Sequence, residues 1–278
     1  MSVLRITDLH VGVSRHEVLR GIDLELASGE VHALMGPNGS GKSTLAHALM
    51  GRGDYEVSAG SVTIDDVELL GLPTWKRAAE GLFVAMQYPV EVAGVRVRDL
   101  VGAALVARGE GVDVIDGLDA AIDREAERLG VSDQFLERGV NVEFSGGEQK
   151  RVETLQLAVL HPKFAVLDEI DSGLDVDALG QVARRIEDLT EEASLGVLAI
   201  THYARLLTEL RPDRVHVLMG GRIVASGGPE IADRLEIVGY DGLASELGVE
   251  LAVEIPDEEP EPFSDPTLDN NPFADPLG

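Results

Sequence analysis

At 278 residues and 44% hydrophobic content, the chain can bury a large core, either as one big α/β domain or as a domain carrying an insertion. Its net charge of -27 argues against an extended nucleic-acid groove or an anionic-lipid surface, because both attractions need cationic patches. The absence of cysteine excludes disulfides and thiolate ligands, so the chain cannot hold a metal-sulfur cluster through cysteine. No apolar run approaches the roughly 20 residues that span a bilayer, and Met1-Ser2-Val3-Leu4-Arg5 lacks a signal-peptide profile, so a soluble, cytoplasmic protein is expected.

Taken in chain order, residues 3–6, 18–26 and 61–65 read as antiparallel strands of a smaller flanking sheet. Residues 31–35 form an apolar run with the look of a parallel strand buried on both faces. Gly36-Pro37-Asn38-Gly39-Ser40-Gly41-Lys42-Ser43 follows, and Thr44-Leu45 opens an apolar helix. This is a G-x-x-x-x-G-K-[ST] phosphate loop between a strand and a helix. Its glycines let successive N–H groups face one anion while the helix presents its positive end there. Lys42 is placed to reach the β- and γ-phosphates, and Ser43 to put its hydroxyl on a bridging Mg²⁺.

Three further apolar runs, 82–86, 164–167 and 197–201, end at Gln87, at Asp168-Glu169 and at His202. Ligands of open α/β sheets bind beyond the carboxyl ends of parallel strands, so these termini can converge on one nucleotide. Between them, residues 88–144 turn helical, as at 98–105 and 120–129 with a glycine break at 109–111, and read as a helical insertion. Residues 252–278 carry eight acidic residues, six prolines and no Lys or Arg, and are expected to be a disordered or draped tail outside a domain of residues 1–250.

Ser145-Gly146-Gly147-Glu148 starts a helix whose apolar face includes Val152, Leu155, Ala158 and Val159, which makes a second helix N-terminal anion site. This turn lies downstream of the phosphate loop and about twenty residues before Leu167-Asp168-Glu169, an order that resembles the ATP-binding-cassette (ABC) ATPases. The resemblance implies a P-loop NTPase fold with a RecA-like core, an antiparallel β subdomain and a helical subdomain insertion. It implies that Asp168 orients the Mg²⁺ shell and Glu169 polarises the attacking water. Gln87 matches the residue that senses Mg²⁺ and communicates with the helical subdomain, and His202 matches the switch residue on the γ-phosphate. Ser172-Gly173-Leu174-Asp175 matches the loop that crosses a dimer interface. In this family Ser145 to Glu148 would serve the ATP bound by a partner protomer, so an ATP-dependent, transient homodimer is implied. An aromatic residue that stacks adenine in many members has no counterpart at Val11 to Val13.

A narrower resemblance rests on Val140-Asn141-Val142-Glu143-Phe144-Ser145-Gly146-Gly147-Glu148-Gln149-Lys150-Arg151, on Tyr88-Pro89-Val90-Glu91, and on Thr201-His202-Tyr203. These are similar to the soluble ATPases of the Suf iron-sulfur cluster assembly system, which drive SufB/SufD-type scaffold proteins. Phe144 before the serine and Glu153-Thr154-Leu155 in the helix differ from the usual transporter pattern. The zero cysteine count agrees with a cluster carried by the scaffold, which would dock near residues 87–95. A transporter's ATP-binding subunit is the rival reading. A cassette ATPase acting on DNA or ribosomes would need a second cassette or coiled coil and a basic surface.

Overall fold

The computed structural model describes residues 1–201 and 204–248, so the acidic tail expected at 251–278 lies outside the described residues. Along Val3–Val13 (β1) and His16–Ala27 (β2) burial alternates over much of each strand, and the two pair antiparallel from Val3↔Ala27 to Val13↔His16. Ser14 and Arg15 close the hairpin with φ of 49° and 68°, the left-handed pair that matches strand twist. After Val31–Met35 (β3) and Lys42–Met50 (α1), Tyr55–Ile64 (β4) joins the other edge of β1 and Val67–Glu68 (β5) extends it. The resulting four-stranded sheet has the order β2-β1-β4-β5.

Thr74–Ala79 (α2) leads into Leu82–Ala85 (β6). The next segment holds Val92–Arg96 (β7), Val97–Ala107 (α3), Val112–Asp116 (α4), Leu118–Leu129 (α5), Asp133–Glu137 (α6) and Gly139–Val140 (β8). Then come Gly146–Leu160 (α7), Phe164–Asp168 (β9), Val176–Ala193 (α8), Gly196–Ile200 (β10), Ala204–Glu209 (α9), Arg214–Met219 (β11), Arg222–Gly227 (β12) and Glu230–Leu247 (α10). The second sheet runs β12-β11-β3-β10-β9-β6, all parallel except β12. Every residue of β3, β9 and β10 is buried, because alternate side chains enter opposite cores. Leu34, Val166 and Ile200 face the antiparallel sheet and α1, whereas Val31, Leu167 and Ala199 face the layer that holds α8.

One expectation changes. The segment 88–144 is not helical from its start, since β7 and β8 pair at its base with Val92 opposite Val140. Gly139 permits this closure, because a Cβ there would lie 2.9 Å from the Val92 carbonyl oxygen. A fifth parallel strand, β11, which the sequence reading did not single out, sits beside β3.

Helix α7 is shared by two cores: Leu157 and Ala158 pack toward the large sheet, and Val152, Leu155 and Val159 pack against α3 and α5. A buried ion pair adds a second join. Arg185 of α8 donates through Nε to Glu125 Oε2 of α5 at 2.7 Å and through Nη2 to Oε1 at 3.0 Å, with side chains 5% and 12% exposed. Arg185→Ala leaves the buried Glu125 carboxylate with only the longer 3.4 Å contact from Arg128, so unfolding free energy is expected to fall by about 3 kcal/mol. Denaturant unfolding checks this; a change below about 1 kcal/mol would equate the pair with an exposed one.

Acid should also destabilise the chain. Burial pushes His47 and His216 down to about 4 and lowers His32, so the folded state holds them neutral while unfolded histidine titrates near its usual 6.5. Between those values the unfolded chain binds more protons, so this stability is present above pH 6.5 and is lost as pH falls towards 4. Asp168, raised to about 6, works in the opposite direction between its folded value and 3.8. Three lowered histidines against the raised carboxyls of Asp168 and Glu153 leave stability falling as pH drops from 6 towards 4. Circular dichroism is the appropriate probe, since the sole tryptophan, Trp75, is 62% exposed.

Candidate functional site

Strand β3 delivers the chain to Gly36, where the loop must pass against β11. A Cβ on Gly36 would sit 2.3 Å from the Leu218 carbonyl oxygen, and one on Gly41 would sit 2.6 Å from Leu19 Cδ2. Gly39 and Gly41 have φ of 74° and 106°, so both position and conformation demand glycine. Helix α1 starts at Lys42 with no side chain capping it, which leaves its first N–H groups directed at whatever occupies the loop. The Lys42 ammonium is buried and donates to the carbonyl oxygens of Gly36 at 2.9 Å and Pro37 at 3.0 Å, so it arches over the loop that Pro37, Asn38 and Ser40 complete.

Asp168 ends β9 opposite Ile200 and is 1% exposed. Its Oδ1 accepts from the Ser43 hydroxyl at 3.3 Å, and its Oδ2 is buried with no hydrogen-bond partner among the described residues. Burial raises this carboxyl to about 6, the Ser43 contact opposes the rise, and the neighbouring Glu169 charge adds to it. An orphaned carboxylate oxygen beside a hydroxyl fits a hard divalent cation that takes its other ligands from phosphates and water. Among the described residues no cluster of His, Asp and Glu would hold a metal by itself. Ser43 and Asp168 are therefore the residues that can hold Mg²⁺, and such an ion supplies charge neutralisation at the phosphates.

Glu169 has φ of 47°, a left-handed conformation rare for a residue with a side chain, and its N–H donates to the Ile200 carbonyl at 2.9 Å. Strand β9 thus turns aside at the residue that follows Asp168. Gln87, two residues past β6, donates its amide Nε2 to Glu169 Oε2 at 2.7 Å. The metal-sensing glutamine expected from the resemblance is thus engaged with the candidate base. Thr201, at the end of β10, donates to Asp171 Oδ2 at 3.1 Å, a strand-end contact that the sequence reading did not single out. His202 lies outside the described residues.

The second anion turn is elsewhere on the surface. Ser145 caps α7 in a reciprocal box: its N–H and hydroxyl both donate to Glu148 Oε2 at 2.7 Å, and Glu148 N–H donates back to Ser145 Oγ at 3.4 Å. Those bonds hold the Glu148 carboxylate below its usual range. Gly146 and Gly147 pack against Gly173 and Leu174 of the following loop. Among the described residues, Ser145 to Glu148 make no hydrogen bond to the phosphate loop of the same chain. Asp175, expected near nucleotide, caps α8 by accepting from Ala178 N–H at 2.8 Å.

Comparison with known proteins gives consistent results. A family model described as ABC transporter matches residues 19–172. "Vegetative protein 296" of Bacillus subtilis (strain 168) is 49% identical over 251 residues, covering 90% of this chain and 96% of its own length. "Probable ATP-dependent transporter SufC" of Escherichia coli (strain K12) is 46% identical over 248 residues, 88% of this chain and all of its own. The solved structure titled "Structure of ATP binding subunit of ABC transporter" superposes with a TM-score of 0.71 at 24% identity over 88% of this chain and 99% of the other, a likeness of fold.

Proposed function

Because the chain belongs to the ABC transporter family, whose ATPases hydrolyse ATP with Mg²⁺, we propose that it is the energy-coupling subunit of an iron-sulfur cluster assembly complex. The observation that carries this reading is the 46% identity extending over the whole length of the relative named SufC. The lack of cysteine agrees with it, since the cluster would then sit on a SufB/SufD-type scaffold.

In this reading Gly36 to Thr44 hold the ATP phosphates, Ser43 and Asp168 hold Mg²⁺, with Gln87 close by, and Glu169 polarises water with His202 at the γ-phosphate. Phosphoryl transfer needs positioning and charge stabilisation more than covalent help, which suits this set of groups. Ser145 to Glu148 and Asp175 act on the nucleotide of a second protomer in an ATP-dependent homodimer. The separation of that turn from the phosphate loop within one chain supports the dimer. Residues 1–250 act as one ABC domain in the cytoplasm, and among the described residues no helix is long and apolar enough to cross a membrane. The scaffold docks at Tyr88 and Val90, which are 79% and 77% exposed immediately after Gln87.

The family description itself favours a second reading, the ATP-binding subunit of a transporter. Isolation of the tagged chain from its own cells, followed by identification of its stoichiometric partners, separates the two. The expected result is soluble, cysteine-bearing scaffold subunits, lost with Tyr88→Glu while ATP binding by the isolated subunit is retained. Recovery of integral membrane subunits would overturn the assembly reading.

A further inference from the structure

Helix α7 places two charges inside the protein that none of the roles above uses. Lys150 and Glu153, three residues apart on one helix face, have side chains only 4% and 12% exposed and pair at 3.0 Å. A cavity of about 10 Å³ beside them, walled by Ala85, Leu157, Leu167 and Ile186, has room for at most one water, so the pair is close to dry. The pair is turned on the backbone of one residue, Met86, through the ammonium. Lys150 Nζ donates to the Met86 carbonyl and to Glu153 Oε2, so the carboxylate holds the ammonium on the strand end. Burial raises the Glu153 carboxyl, and the Lys150 charge works against that rise. A buried ion pair is a costly way to tie a helix to a strand end, and hydrophobic residues of equal size would pack as well. Its distinctive property is that it specifies where Met86 lies along α7.

The next residue is Gln87, whose amide donates to Glu169 at 2.7 Å. Further along, Asn141 Nδ2 donates to the Val90 carbonyl at 3.0 Å and Val92 pairs with Val140. The segment from Met86 to Val92 is therefore gripped at both ends by the stretch that carries Ser145. We propose that Lys150 and Glu153 are positioning residues that set the Gln87 amide on Glu169, so that any displacement of α7 and its Ser145 turn is transmitted to the hydrolytic carboxylate. This inference rests on the assignment of Glu169 as the water-polarising group, and is independent of whether the subunit serves a scaffold or a membrane protein.

The test is a double-mutant cycle between Glu153 and Gln87, which isolates the energy that one residue exerts through the other. Glu153→Ala should lower kcat by about 10- to 10²-fold through misplacement, with ATP affinity close to parent. Glu153→Gln, which still accepts from Lys150 Nζ, should recover most of the loss. Made in a Gln87→Ala background, Glu153→Ala should cost less than twofold. Where Glu153→Ala fails to fold because Lys150 is stranded, the uncharged pair Lys150→Met with Glu153→Gln retains packing, and its kcat loss should likewise vanish in the Gln87→Ala background.

A readout independent of turnover is the ¹⁵N-¹H signal of the Gln87 side-chain amide, assigned by its disappearance in Gln87→Ala. That signal should shift or broaden in Glu153→Ala while core amide signals stay in place. Additive losses in the cycle, an unchanged kcat, or an unmoved Gln87 amide would each overturn the proposal. A shifted amide signal together with parent turnover in Glu169→Gln would instead place the error in the assignment of the base.

Discussion

Replacing Glu169 by glutamine is expected to lower ATP turnover by about 10²- to 10⁴-fold, the span of a positioned general base, while ATP binding stays near the parent value. The side chain is 9% exposed at the end of β9, and its backbone is locked in a left-handed conformation by the bond from its N–H to Ile200. Glutamine has the same reach and can still accept from the Gln87 amide through its own oxygen, so the geometry survives and only basicity is lost. The phosphate loop, Lys42 and the Ser43-Asp168 pair are untouched by the change. Single-turnover cleavage measured beside equilibrium ATP affinity checks this result. Cleavage at the parent rate would mean that another group activates the water.

Lys42→Ala is expected to fail differently, with affinity for the triphosphate lowered about 10- to 10²-fold together with turnover. A charge-assisted contact contributes about 1.5 to 3 kcal/mol, and here it is made to the ground state as well as to the transition state. The ammonium is already desolvated and held at the loop mouth by the Gly36 and Pro37 carbonyls, so little reorganisation precedes its contact with phosphate. Titration of the variant with Mg-ATP measures the effect. Parent-like affinity would show that the loop N–H groups hold the phosphates without the lysine. Glu169→Gln and Lys42→Ala thus separate chemistry from binding within one site.

The phosphate loop was legible because its chemistry dictates residue types at adjacent positions. Gly36 and Gly41 have no space for a Cβ, and Lys42 and Ser43 must follow where the helix begins. The buried strands were legible for a related reason: a strand covered on both faces is apolar throughout, so 31–35 and 164–167 stand out without any knowledge of their neighbours. The reciprocal cap at Ser145 and Glu148 is likewise local, with partners three residues apart.

Contacts between distant segments were not legible. Gln87 and Glu169 are separated by 82 residues, and nothing in either neighbourhood announces that the amide would donate to that carboxylate. The pairing of Val92 with Val140 escaped a reading that took the whole segment as helical, because β8 spans only two residues and has no periodicity to detect. The sequence reading assigned no pairing to Lys150 and Glu153; only the packing of α7 over β6 shows that they are buried and that Lys150 is directed at Met86.

The sequence by itself determined the presence of the phosphate loop, the order of the strand ends and the exclusion of cysteine chemistry, since each is a property of contiguous residues or of composition. The tertiary structure alone decided which strand ends touch, which carboxylate oxygen lacks a partner among the described residues and which charges are dry. Those properties arise from the register between segments far apart in the chain, and from water exclusion that no local stretch of residues encodes.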